Sequence, residues 1–405
     1  MKSLLTIPQD RDYTPYAYPA VFGVPYLRDG HVDIKPPLIH WSYKLWWTFA
    51  NFCGISKCMS MAARLRFLPL IGLILSVCCL SITGHTQAAA LLAFLLLSPT
   101  LWPHMANTEW LTVALICLAM ALPAPLSWCC LGLMPWANQK NALIIPSLAL
   151  ALGLHPLSWA CLFLFAPSVV ILSYLYATKR LESFIHWCWF MPALFGANRT
   201  WKRNTLSASR LLIPCVALMA PLVAVMSWGP WVLVALSVVA VMVWSKQITP
   251  HHFILLALPV AMSAHVGPFA LAALALVWIP RDGICWWRPD LTYRFTFSLA
   301  GGDYGQMMAD LNKIEKFLRE NTPADEVIWV NGFENQVYFN TMRRAWRIEI
   351  PELPGHPAGD PPRYIVHCNS SAKRGDGSFD YEAWNYEPAM ISTSGEFTLL
   401  LRRGK

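Results

Sequence analysis

Asp10, Asp12, Asp29, Asp33 and Lys35 fall within residues 10–38, DRDYTPYAYPAVFGVPYLRDGHVDIKPPL, among several aromatic residues. An aspartate can take the proton of a hydroxyl as that hydroxyl attacks. A fixed lysine can hold negative charge as it builds on a departing phosphate. Carboxylates beside a cation and aromatic rings, placed directly before a long apolar stretch, suit a reaction on a polar sugar carried by a lipid. The same residues also make a solvated loop with a turn at Pro36 and Pro37, and composition alone does not separate the two.

Five further positions carry charge or imidazole where the surroundings are apolar. Glu109, in HMANTEWLTVAL, stands at the start of an apolar helix, where an acid costs roughly 2.5–3.5 kcal/mol at the bilayer centre and less near an end. A helix-start carboxylate favoured by the helix dipole is the plainer reading. His251 and His252 open another apolar run; adjacent imidazoles point different ways on a helix, so at most one contacts a ligand. Lys140, in ANQKNALIIP, is a candidate phosphate contact, with interfacial anchoring as the alternative, and Arg64 is another basic residue placed to meet lipid headgroups or phosphates.

These residues need elements to hold them, and the composition says what kind. Of 405 residues 56% are hydrophobic and 13% charged, about half the roughly 25% charged residues of soluble domains. Only six of the 23 acids precede residue 281, namely Asp10, Asp12, Asp29, Asp33, Glu109 and Glu182. From Ile34 to Pro280 the chain therefore reads as a polytopic membrane protein. Apolar runs near 67–83, 87–103, 108–122, 124–137, 142–156, 158–177, 211–227, 230–245, 251–265 and 267–279 give about ten crossings. The first two return the chain to its starting face, which puts Glu109 on the side of Asp10, Asp12 and Lys35. Residues 37–53 and 183–196 mix aromatic, basic and apolar residues, as interfacial helices do. Basic residues gather at run ends (Arg64 and Arg66; Lys179 and Arg180; Arg199 to Arg210), and the net charge of +8 lies in the membrane part, so nucleic acid is not an expected partner. The cysteines show no zinc spacing, and those inside apolar runs read as small buried hydrophobes.

After Pro280 the pattern becomes that of a soluble α/β domain. Residues 307–321 have the 3.6-residue period of an amphipathic helix, and 326–332, 363–368 and 397–403 read as strands. Three divisions follow: 1–66 as loop and interfacial helix, 67–280 as the helical membrane domain, and 281–405 as the α/β domain.

In that order, GVPYLRDGHVDIKPPL resembles the first-loop signature of the C-type-fold glycosyltransferases that use lipid-linked sugars, the superfamily of protein O-mannosyltransferases and the bacterial aminoarabinose transferase. SPTLWPHMANTEWL is similar to the family's second-loop segment, PHHFILLALP to a late helix start, and LNKIEKFLRENTPADEVIWVNGFENQVYF to its extracytoplasmic α/β domain. The resemblance implies a polytopic α-helical protein of about ten transmembrane helices in a bacterial inner membrane, with a small extracytoplasmic C-terminal α/β domain. It implies inverting transfer of a sugar from a polyprenyl-phosphate carrier to a hydroxyl of a glycan, lipid or protein acceptor. Asp10 or Asp12 matches the catalytic carboxylate, although Arg11 splits the usual acidic pair. Asp33 and Lys35 match the family's D-x-K pair, and Glu109 the second-loop acid. His252, Lys140 and Arg64 are candidate phosphate contacts. No cofactor is required, and a divalent metal is compatible. Members begin with a span ahead of the catalytic loop, whereas this chain starts within it, which implies a truncated or mis-started copy. A lipid-linked-sugar transporter and a non-catalytic accessory subunit are the rival expectations; carboxylates collected at one face favour the enzyme.

Overall fold

The computed structural model describes residues 14–27, 33, 35–55, 61–98, 101, 108–190, 192, 215–216, 219, 222–223, 226–245, 252–264, 304–331, 336–346, 361–368, 382, 384–395 and 397–404. The chain forms two compact units, one of Met1–Pro8 and Lys35–Gly301, the other of Gln9–Ile34 and Gly302–Lys405. These boundaries differ from divisions at 66 and 280, because the segment after the first aspartates folds with the C-terminal residues.

The unit beginning at Lys35 is helical. Its described elements are α2 (Pro37–Phe52), α3 (Met61–Ile82), α4 (Thr86–Leu96), α5 (Glu109–Ala121), α6 (Ala124–Ala137), a 3-10 helix (Gln139–Ile144), α7 (Ile145–Ala151), a second 3-10 helix (Trp159–Leu164), α8 (Ala166–Ala177), α9 (Leu181–Ile185), a π-helix (His186–Phe190), α10 (Pro230–Trp244) and α11 (His252–Ser263). The prolines set many of the starts: α2 opens on Pro37, α10 on Pro230, and α7 carries Pro146 in its first turn, the positions where a missing N–H costs nothing. α3 packs along α5, and Gly72 permits it, since a Cβ there would lie 2.4 Å from the Trp110 ring. Small residues let helices approach in this way when apolar packing is the attraction.

Among the described residues, only Trp159–Ala177 is long and apolar enough to cross a membrane by itself; Phe67–Ile82, Thr86–Leu96, Glu109–Ala121, Pro230–Trp244 and His252–Ser263 are shorter apolar helices. The expected crossing at 142–156 divides into a 3-10 turn and the seven-residue α7. Hydropathy reads such a run as continuous, whereas the polar Gln139–Asn141 turn ahead of Pro146 interrupts its geometry. The expected crossing at 267–279 lies outside the described residues.

In the other unit, β1 (Val327–Asn331), β2 (Arg344–Ala345), β3 (Tyr364–Cys368), β4 (Tyr386–Ile391) and β5 (Phe397–Arg402) form a sheet of order β2-β1-β3-β5-β4. β1 pairs in parallel with β2 and β3, and β5 runs antiparallel between β3 and β4. Trp329, Ile365, Tyr386 and Leu400 make one buried cluster, with Trp346 and Trp384 packed on it. α12 (Tyr304–Asn321) turns Leu311, Ile314 and Leu318 inward at helical spacing and meets α13 (Gln336–Thr341) and β5. α1 (Thr14–Phe22) belongs to this unit. The Ala345 N–H on edge strand β2 donates to the Tyr18 hydroxyl at 2.8 Å, and the Tyr18 ring stacks on Phe22 and meets Tyr338 and Phe339 edge-on. Burial pushes the Tyr18 phenol up to about 12.

Glu315, on α12, is also buried. Desolvation pushes its carboxyl up to about 7, although the Asn340 amide donates to it at 2.9 Å and Arg319 is near. Between the ordinary value of 4.5 and about 7 the folded state keeps a proton that the unfolded chain has lost. Its stabilising effect is thus complete below pH 4.5 and lost as pH rises through 7. Glu315→Gln should flatten that slope and raise stability at pH 8 by up to about 3 kcal/mol. Thermal unfolding of both proteins between pH 5 and 8 checks it; parallel curves would remove Glu315 from the account.

Candidate functional site

Lys35 stands directly ahead of two prolines, Pro36 and Pro37. The residue before a proline is kept out of the helical region. Pro36, at φ −62° and ψ 164°, then caps α2, and Pro37 begins it. Lys35 is thus held immediately ahead of a helix N-terminus, half-buried. The Cys188 thiol donates to its carbonyl at 3.4 Å, and the Gln139 amide donates to the Cys188 carbonyl at 2.6 Å.

Gln139 belongs to the sequence Asn138-Gln139-Lys140-Asn141 at the end of α6. In a 3-10 turn, residues three apart eclipse one another, so Asn138 and Asn141 face the same way, onto the first turn of α5. The Asn138 amide donates to Thr108 Oγ1 at 3.2 Å and to Glu109 Oε1 at 3.4 Å; the Asn141 amide donates to Thr112 Oγ1 at 2.7 Å and to the Met134 carbonyl at 3.1 Å. Asn138 Oδ1 accepts the Lys140 N–H at 3.3 Å. Glu109 is 1% exposed. It stands at the N-terminus of α5, the end of a helix that favours an acidic side chain. One continuous path of side chains and backbone therefore runs from Glu109 through the Asn138 turn and Cys188 to Lys35, with half-buried Lys140 on the turn.

The other sequence-derived candidates take different places. His252 is buried at the start of α11, which packs on α5, the helix that Glu109 opens. Arg64 is engaged with α2: its guanidinium lies 4.1 Å over the Trp47 ring and donates to Asn51 Oδ1 at 3.1 Å, while Trp46 Nε1 donates to the Arg64 carbonyl at 2.6 Å. It packs against α2, a role the sequence reading did not give it. Asp33 is buried at 1% exposure and belongs to the other unit. Asp10, Asp12, Asp29 and His251 lie outside the described residues. Sequence reasoning missed Asn138, Asn141, Thr108, Thr112 and Gln139; four consecutive polar residues between apolar helices, with asparagine at i and i+3, are the signal that finds them. Among the described residues no group of three His, Cys, Asp or Glu is placed to hold a metal ion.

No protein-family model matches the chain, and no curated protein matches it. Solved structures do. The crystal structure of ArnT from Cupriavidus metallidurans in the apo state aligns with a TM-score of 0.61, and that of ArnT bound to undecaprenyl phosphate with 0.58. Each is 11% identical over 98% of this chain and 95% of that one. The likeness is one of fold: the chain has the architecture of ArnT.

Proposed function

We propose that the protein transfers a sugar from a polyprenyl-phosphate carrier to an acceptor hydroxyl at the extracytoplasmic face of a bacterial inner membrane. The observation that carries this is the path joining Glu109, the Asn138–Asn141 turn and Lys35, inside a fold whose ArnT counterpart was crystallised with undecaprenyl phosphate. Asp10 or Asp12 removes the acceptor proton as the oxygen attacks the anomeric carbon from the side opposite the phosphate, so the configuration inverts. The C–O bond to the carrier breaks and its electron pair leaves on the phosphate. Lys35, with Lys140 on the neighbouring turn, meets the growing charge. Glu109 is too deeply buried to reach an acceptor hydroxyl. It acts as a positioning residue, fixing Asn138 and through it the turn that tethers Lys35.

Glu109→Gln keeps the shape and replaces the carboxyl with an amide. It should lower kcat for sugar transfer by roughly 10²-fold, the effect of losing one preorganised group, with the KM for donor within about threefold, because uniform donor binding is untouched. Glu109→Asp should recover part of the rate. Wild-type kcat in Glu109→Gln would remove the residue from the mechanism.

A further inference from the structure

Glu182 is the one acid between Glu109 and Asp282, and the transfer site makes no use of it. It lies just past α8, whose buried stripe is Pro167, Ile171 and Leu175. Outside that stripe α8 is apolar and open, with Val169, Val170 and Tyr176 at 63%, 68% and 75% exposure. The stretch Trp159–Ala177 has a mean hydropathy of 2.0 and only 22% of it is buried, which marks a lipid-facing helix rather than a core one. At its C-terminal end a groove of about 940 Å³ opens between α8, α9 and the π-helix, lined by Tyr176, Lys179, Glu182, His186, Trp187 and Phe190 among others.

Two features of this groove point to an occupant. Lys179 and Glu182 carry opposite charges on its lining, yet among the described residues neither side chain makes an ion pair or hydrogen bond. The backbone at Lys179 is left-handed, at φ 55°. The same helix-ending turn closes α4's predecessor α3 at Gly84, where the His85 N–H reaches Leu80, and α7 at Gly153, where the Leu154 N–H reaches Ala149. After α8 the Arg180 N–H reaches Leu175 at 2.8 Å in the same way, but a lysine occupies the position that glycine fills without strain.

We infer that this groove binds the headgroup of a zwitterionic aminophospholipid, with the acyl chains along the outer face of α8. Lys179 and His186 meet the phosphate. Glu182 meets the primary ammonium, which the rings of Trp187 and Tyr176 also attract. A purely anionic lipid, or a polyprenyl phosphate, would bring its charge against Glu182 and leave that carboxylate unanswered. The inference needs the membrane fold and not the transfer reaction, and it is tested without sugar donor.

The full chain, purified in detergent, is titrated with phosphatidylethanolamine, phosphatidylglycerol or undecaprenyl phosphate, and retained lipid is counted by native mass spectrometry. Phosphatidylethanolamine should be held more tightly than phosphatidylglycerol. Lys179→Gly should weaken it roughly tenfold, the loss of one charge-assisted contact, while melting no lower than wild type because the glycine suits the turn. Glu182→Gln should reverse the preference toward phosphatidylglycerol, and decides the matter if Lys179→Gly does not fold. Equal retention of both phospholipids, unchanged binding by the variants, or displacement of phosphatidylethanolamine by undecaprenyl phosphate would each overturn the inference.

Discussion

Asparagine in place of Asp10 or Asp12, one at a time, is expected to lower sugar transfer by about 10²- to 10⁴-fold for one of the two and far less for the other. The amide keeps the size of the carboxylate but has no lone pair basic enough to take a hydroxyl proton. Two aspartates separated by Arg11 cannot both stand over one acceptor oxygen, and the spacing to Lys35 admits either. Both residues lie outside the described part of the structure, immediately ahead of α1, which begins at Thr14. Initial rates at saturating acceptor, measured with the full chain in proteoliposomes, assign the base. Wild-type rates in both variants would remove the base assignment.

Tyr18→Ala is expected to cost about 3–5 kcal/mol, as the truncation of a large buried aromatic does, and to reduce turnover with it. Tyr18 is 2% exposed and is the centre of the attachment between α1 and the α/β residues. Its ring lies against Phe22, Tyr338 and Phe339, and its hydroxyl answers the Ala345 N–H at 2.8 Å. Without it α1 keeps the edge-on contact of Phe22 with Phe339 but loses its hydrogen bond to β2 and its contact with Tyr338. Tyr18→Phe keeps the ring contacts and should cost about 1 kcal/mol, the worth of one hydrogen bond. Hydrogen exchange of α1, compared across the three proteins, separates the two effects. Equal protection in Tyr18→Ala and wild type would mean that α1 is held by something else.

The resemblance of the tail to an α/β domain rested on particular residues, and most of its elements are where periodicity put them. The helix expected at 307–321 is α12, Tyr304–Asn321, and the runs at 326–332, 363–368 and 397–403 are β1, β3 and β5. β4 escaped notice because YEPAMI holds a glutamate and a proline and sits beside a register shift. β2 is two residues long and carries no pattern of its own. Among the described residues of the helical unit the apolar runs located helices but overstated their continuity, since hydropathy does not register a 3-10 turn or a proline restart. Among the site residues, charge singled out Glu109, Lys35 and Lys140, because a charged side chain in an apolar stretch is visible in one dimension. Asn138, Asn141 and Gln139 were not, because a neutral amide acquires meaning only from the partner it faces. The attachment of α1 to the C-terminal strands spans more than 300 residues of chain and leaves no local signal.

One measurement bears on the central claim most directly. The purified full chain, reconstituted in sealed liposomes, is given a radiolabelled sugar on polyprenyl phosphate together with a membrane-lipid extract as acceptor, and the release of unglycosylated polyprenyl phosphate is followed by mass spectrometry. The account predicts that carrier phosphate and labelled acceptor accumulate in equal amounts, and that neither forms in a protein bearing both Asp10→Asn and Asp12→Asn. Movement of the intact donor across the bilayer with no carrier phosphate released would contradict it and would make the protein a transporter.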